Sequence, residues 1–121
     1  TLLWLTADQS GLSDSAKSIL KENPGRLFIS SISAFENAVK HRSGKLRLPM
    51  NPPDWFHEAL HVHGIHEVPV TADIAAVSAL LEPHHNDPCD RMIIATAIKH
   101  AMPIITCDKL IGKYSEVKVL W

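Results

Sequence analysis

The sequence predicts an α/β fold in which a central, mostly parallel sheet is flanked by helices. Short apolar runs bounded by turn residues, such as Leu27-Phe28-Ile29 and Pro103 to Thr106, alternate with longer stretches of helical periodicity. Strands that alternate with helices pair in parallel through right-handed crossovers. Three carboxylates, Glu36, Asp90 and Asp108, stand after strands or at helix openings, where open α/β sheets gather their ligands. A chain of 121 residues with 45% hydrophobic content can build one core but not two ordinary ones. Residues 1–121 are therefore read as a single domain.

The elements follow in order. Leu2 to Leu5 is apolar and reads as the opening of a short helix, and Asp8 to Gly11 breaks the pattern. Ser13 caps an amphipathic helix to Lys21, with Ala16, Ile19 and Leu20 on one face and Pro24-Gly25 as the stop. Arg26 to Ser30 reads as a short buried strand. A helix begins at Ser33 and Gly44 ends it; Asp54 caps the next, which runs to His63 and closes at Gly64. Glu67 to Val70 is a strand, and Thr71 caps a helix over Ala72 to Leu81 that Glu82-Pro83 terminates. After the His84-His85-Asn86-Asp87-Pro88 loop comes a helix from Cys89 to His100, then a strand at Pro103 to Thr106 and a last one at Val117 to Leu120. Repeats, low-complexity tracts and linkers are absent.

Composition narrows the function classes. No apolar stretch approaches the ~20 residues of a membrane span. Cys89 and Cys107 lie too far apart in sequence for a paired metal knuckle and are too few for a disulfide scaffold, so a reducing cytoplasm is the expected setting. A net charge of -1 exerts no global pull on nucleic acid, and any such binding needs a local basic patch. Lys40, His41, Arg42, Lys45 and Arg47 supply one, or else form a solvated helix face.

Each acid has a structural and a chemical reading. Ser33-Ala34-Phe35-Glu36 matches a capping box, in which Glu36 bonds back to the cap residue. Asp87 and Asp90 at a helix opening interact favourably with the helix dipole, and Asp108 can cap a short helix over Lys109 to Lys113. Against these stands coincidence: three strand-to-helix junctions each carry a carboxylate, and a parallel sheet brings such junctions together. Clustered carboxylates repel unless a cation compensates, and a hard divalent ion such as Mg2+ or Mn2+ suits them. The expected chemistry is metal-assisted phosphodiester hydrolysis.

A rival motif is His57-Glu58-Ala59-Leu60-His61, an H-E-x-x-H pattern of the kind that holds Zn2+ in metallopeptidases. The extended metzincin pattern fails, because Glu67 occupies the third ligand position and His66 comes one residue early. Trp55, Phe56, Ala59 and Leu60 read as the buried side of that helix, leaving His57 and His61 on its flank or in solvent. His84-His85 reads as loop polarity or a phosphate-facing pair rather than as metal ligands. A non-catalytic acidic α/β binding module is the remaining alternative.

The run from Ser30 to Pro49 resembles the second acidic motif of PIN-domain proteins of the VapC toxin type. The run His84-His85-Asn86-Asp87-Pro88-Cys89-Asp90-Arg91-Met92-Ile93-Ile94-Ala95 is similar to the third, H-x-D-P-F-D-R-x-x-I-A, and Ile105-Thr106-Cys107-Asp108 to the fourth. The ending Val119-Leu120-Trp121 is also typical of the group. The resemblance implies a three-layer fold with a sheet of about five strands and a ribonuclease using Mg2+ or Mn2+. It implies Glu36, Asp90 and Asp108 as catalytic and metal-binding acids, with Thr106 beside them and Asp87 as a weaker ligand. It assigns the H-E-A-L-H helix to the periphery.

It further implies a type II toxin-antitoxin system, with a cognate antitoxin and a homodimer as partners, for which Leu3, Trp4 and Leu20 offer apolar helix surface, or else plain core packing. Cleavage is expected to leave a 5′-phosphate and a 3′-hydroxyl, with Lys40, Arg42, Lys45 and Arg47 on the RNA phosphates. The family's first acid precedes the Leu-Leu-Trp segment, so the chain is expected to be truncated at its amino end and to lack the first strand.

Overall fold

The computed structural model describes residues 13–121 and the backbone of Leu2–Trp4. The strands are β1 (Leu2–Trp4), β2 (Leu27–Ser30), β3 (His66–Val68), β4 (Ile104–Ile105) and β5 (Val119–Leu120). The helices are α1 (Asp14–Glu22), α2 (Ile32–Arg42), α3 (Pro52–His63), α4 (Ala72–Leu80) and α5 (Pro88–His100), with a 3₁₀ turn at Ile111–Lys113. One five-stranded sheet has the order β3-β2-β1-β4-β5, and every neighbouring pair is parallel. The chain winds outward from β1 through β2 to β3, then crosses back through α4 and α5 to β4 on the other side of β1. That reversal opens a crevice at the carboxyl ends of β1 and β4, the usual ligand position in doubly wound sheets.

Two expectations at the amino end are corrected. Leu2–Trp4 is a strand and not the opening of a helix, and the first strand is present at the centre of the sheet, with Leu3 opposite Phe28 on one side and Ile104 on the other. A short apolar run has no period that separates helix from strand; here two neighbouring strands supply ladder partners for its amides. Leu3 and Trp4 therefore belong to the sheet and to no helical partner surface. The break expected at Asp8 to Gly11 lies outside the described residues.

Local chemistry sets most helix ends. The hydroxyls of Ser13 and Thr71 accept from the amides of Ala16 (3.0 Å) and Ile74 (3.3 Å). Gly64 closes α3 at φ 62°, a left-handed conformation that favours glycine. The cap of α3 is Asn51 rather than Asp54: Asn51 Oδ1 accepts from the Asp54 amide (3.1 Å), which starts the helix at Pro52. The proline pair suits the first turn, where amide donors have no helical partner.

Alternation along the strands produces two cores. Ile104 joins Val68, Ile93, Ile94, Ala97, Ile111, Tyr114 and Val117 on one face of the sheet. Its neighbour Ile105 joins Ala16 and Leu27 on the other, with Ile19, Leu20, Ile65 and Trp121 packed around them. Successive strand residues point to opposite faces, so α5 covers one side and α1 the other. The result is three layers.

Candidate metal centre

Three junctions at the carboxyl edge of the sheet build the centre. From β4 the chain passes through buried Thr106, whose Oγ1 accepts from the Asp108 amide (3.1 Å). Asp108 then splits its carboxylate. Oδ1 accepts from the Leu110 amide (2.8 Å) and starts the 3₁₀ turn, while Oδ2 faces His85 Nε2 at 2.9 Å. The structural and chemical readings of Asp108 thus both hold, one oxygen each.

At the start of α5, Asp87 is the cap residue, with Oδ1 accepting from the amides of Cys89 (2.8 Å) and Asp90 (3.4 Å). Asp90 follows in the first turn, half-buried, with Oδ2 3.2 Å from His85 Nε2. Glu36 comes from α2. Its capping-box reading is overturned because the helix begins at Ile32, so Glu36 stands in the second turn and Ser33 lies inside the helix. The Ser33 hydroxyl is buried without a partner among the described residues, and Ser31 makes no side-chain cap. Ser31 Oγ instead accepts from the Val70 amide (2.9 Å), tying the start of α2 to the segment after β3.

The electrostatics are those of a negative cluster. Burial pushes Glu36 above its ordinary value, and Asp90 and Asp87 add to the rise against the opposing pull of Lys40. Asp90 is likewise raised, first by burial, then by Asp87 and Asp108, with His85 and Lys40 opposing. Asp108 is lowered: burial acts upward, but the hydrogen bonds from His85 and from the Leu110 amide outweigh it. Cys89 reports the same field. A thiol at a helix amino end is ordinarily shifted down, yet Cys89 is pushed up to about 11 by burial and by Glu36, Asp87 and Asp90.

Among the described residues no Lys or Arg pairs with these acids: the ion pairs are His85–Asp90, His85–Asp108 and Lys99–Asp73. Ligand atoms of His85, Asp90 and Asp108 lie within 4.8 Å of one another, a group that leaves out Glu36 and Asp87. Glu36 lies near enough to Asp90 and Asp87 for their charges to raise it. Hard oxygen donors with uncompensated charge fit a hard divalent cation.

Of the two expectations for His85, loop polarity or a phosphate-facing role, burial overturns the first. His85 is 7% exposed and sits between the two aspartates; the signal that could have found it is the H-x-D-P pattern, whose histidine falls on His85 and not on His84. Lys40, Arg42, Lys45 and Arg47 are all exposed, and Lys40 lies near enough to lower both Glu36 and Asp90. On α3, Phe56 is buried while His57, Glu58 and His61 are exposed, and the pattern joins no ligand cluster among the described residues. Among the described residues the zinc reading has no centre to support it.

A family model described as PIN domain matches residues 1–117. Ribonuclease VapC22 of Mycobacterium tuberculosis is 32% identical over 108 residues, covering 88% of this chain and 80% of that protein. The fold is similar to a toxin-antitoxin complex from Klebsiella pneumoniae, with TM-score 0.66 and 23% identity over 97% of this chain and 95% of that one. It is also similar to DNA-bound VapBC from Salmonella typhimurium, with TM-score 0.67 and 13% identity over 98% of this chain and 96% of that one.

Proposed function

This chain belongs to the PIN-domain family, and on that premise we propose that it is a metal-dependent endoribonuclease, the toxin of a toxin-antitoxin pair. The observation that carries the reading is the meeting of acids from α2, α5 and the end of β4 with no Lys or Arg ion pair among the described residues. Asp90, Asp108 and Glu36 would hold Mg2+ or Mn2+. Held there, the cation would activate water as the nucleophile and offset charge on the scissile phosphate.

The remaining work falls to the chain. Asp90 and Asp108 would hold the cation from α5 and the end of β4, with Glu36 standing on α2. Asp87, with Oδ1 given to the α5 cap, adds negative charge and is the weaker ligand. Lys40, Arg42, Lys45 and Arg47 offer cations to RNA phosphates, which supply affinity and register rather than sequence choice.

An antitoxin partner is supported by the Klebsiella and Salmonella neighbours and by the surface beside Glu36. Phe35 and Val39 of α2 are 58% and 48% exposed. Phe35 lines a groove of about 390 Å³ with Pro52, Pro53 and Phe56. For a homodimer, Val77 and the 84% exposed Leu80 of α4 supply apolar surface.

The test incubates the protein with structured RNAs in Mg2+, Mn2+ or EDTA beside Asp90→Asn. Cleavage that needs the metal, leaves a 5′-phosphate and is lost in the variant supports the nuclease. Cleavage indifferent to the substitution removes this site, and no cleavage under any condition favours a non-catalytic acidic module.

A further inference from the structure

We infer that His85 is a positioning residue of this centre: its Nε2–H holds Asp90 and Asp108 for a shared cation, and the imidazole itself is not a ligand. The inference rests on the nuclease reading above. It starts from the partners of the two ring nitrogens. A backbone amide only donates, and the Asp87 amide lies 3.1 Å from Nδ1, so Nδ1 carries the lone pair. The proton of the neutral ring then sits on Nε2, which faces two acceptors, Asp108 Oδ2 at 2.9 Å and Asp90 Oδ2 at 3.2 Å. This tautomer is assigned from the hydrogen-bond partners.

Both nitrogens are therefore committed. A protonated Nε2 has no lone pair for a cation, and the lone pair on Nδ1 is held by a fixed amide. Turning the ring over would set Cδ2–H against that amide and Cε1–H against the two carboxylates, giving up all three contacts.

The surroundings hold the loop that carries the ring. The His85 amide donates to Tyr114 Oη (3.1 Å), and the Tyr114 hydroxyl donates to the Glu82 carbonyl (2.6 Å). Arg91 Nη1 donates to the His85 carbonyl (2.9 Å) and the Glu82 carbonyl (3.2 Å). Two long side chains from different elements thus clamp the backbone of one loop residue, and the ring is buried.

A role follows from charge. Asp90 and Asp108 repel, and a cation needs them close together before it arrives. One N–H shared between their facing oxygens offsets that repulsion and leaves the remaining carboxylate lone pairs free. Hydrogen bonds from outside the ligand set commonly orient metal ligands in this way.

The test titrates Mn2+ into the full chain as wild type, His85→Ala, His85→Gln and Asp90→Asn, with thermal melts to check folding. Glutamine places an amide N–H near the Nε2 position and ligates Mn2+ poorly. His85→Ala is expected to bind Mn2+ about 10–100-fold more weakly, and His85→Gln to recover most of the loss. Pulsed EPR of wild type with Mn2+ is expected to show no directly coordinated ¹⁴N. A bound-imidazole nitrogen signal overturns the inference, as does wild-type affinity in His85→Ala, or equal weakness in a folded His85→Gln. Should His85→Ala fail to fold, the glutamine variant and the wild-type spectrum decide. Asp90→Asn keeps the two readings apart. If it binds and cleaves like wild type, this centre is not the site of cleavage and the reading beneath the inference falls; if it is inert while His85→Ala is normal, only the role of His85 falls.

Discussion

At the scale of single residues, the centre gathers carboxylates that no Lys or Arg ion-pairs among the described residues. Because Glu36 and Asp90 are raised in the folded state, the folded metal-free protein binds more protons than the unfolded chain as pH rises past the ordinary carboxylate range. Stability from these two groups therefore falls as pH rises through that window, and the loss persists above it. Asp108, lowered, acts oppositely: it stabilises above the ordinary carboxylate range and its contribution is lost as pH falls through its folded value. Asp90→Asn removes one of the repelling charges. In EDTA near neutral pH it is expected to melt above wild type, with the gap closing on acidification. Saturating Mn2+ reverses the order, since at 100 times Kd a ligand stabilises wild type by about 2.7 kcal/mol. A variant that melts below wild type in EDTA would contradict this charge picture.

Lys40 gives a second prediction at this scale. It is exposed and close to the acids. Lys40→Ala should weaken RNA binding uniformly across sequences and reduce the slope of log K against log salt by about 1, measured by fluorescence anisotropy. An unchanged slope would return Lys40 to the solvated face.

At the scale of elements, Arg91 joins helix to loop. Its guanidinium donates to five carbonyls, those of Ser78 (3.0 Å), Ala79 (3.5 Å), Leu81 (2.8 Å), Glu82 (3.2 Å) and His85 (2.9 Å). It thus closes the carboxyl end of α4, whose last carbonyls have no helical partner, and aligns the loop that carries His85. Arg91→Met keeps the stem and removes the donors. The expected cost is about 3 kcal/mol, from several partly buried carbonyls left unpaired, with Mn2+ affinity falling together with stability. A melt within a degree of wild type would show that the clamp is dispensable.

The elements also show which signals a sequence carries. Caps at Ser13 and Thr71 and the glycine end of α3 were legible because each is a contact over three or four residues, written in the side chain itself. The capping box at Ser33 to Glu36 obeyed the same rule and misled. Ser31 was drawn to the Val70 amide, 39 residues away, and the helix began earlier than the pattern suggested. β1 was unreadable for a related reason: Leu-Leu-Trp becomes a strand through its neighbours β2 and β4.

At the scale of the whole molecule, the fold works by placing α5 twice. Its buried face, Ile93, Ile94 and Ala97, fills the larger core, while its first turn presents Asp90 to the crevice. Packing and site are thus carried on one rigid body. Ile94→Ala is expected to cost about 2–5 kcal/mol through lost burial and a cavity, read by denaturant unfolding. Metal affinity per folded molecule should change far less than in Arg91→Met, because the hydrogen bonds around His85 remain.

Residue types and short spacings were enough to mark a parallel α/β sheet, most of its helices and the acids at its strand ends. They sufficed because amphipathic periodicity, caps and breakers act within a turn or two of helix. Only the folded chain decided that Leu2–Trp4 completes the sheet, that Glu36 is free of its cap, and that His85 stands between Asp90 and Asp108. His85 and Asp108 are 23 residues apart, and their meeting depends on the crossover that returns α5 to β4. No local pattern encodes that distance, so the proton on one imidazole nitrogen is a property of the tertiary structure.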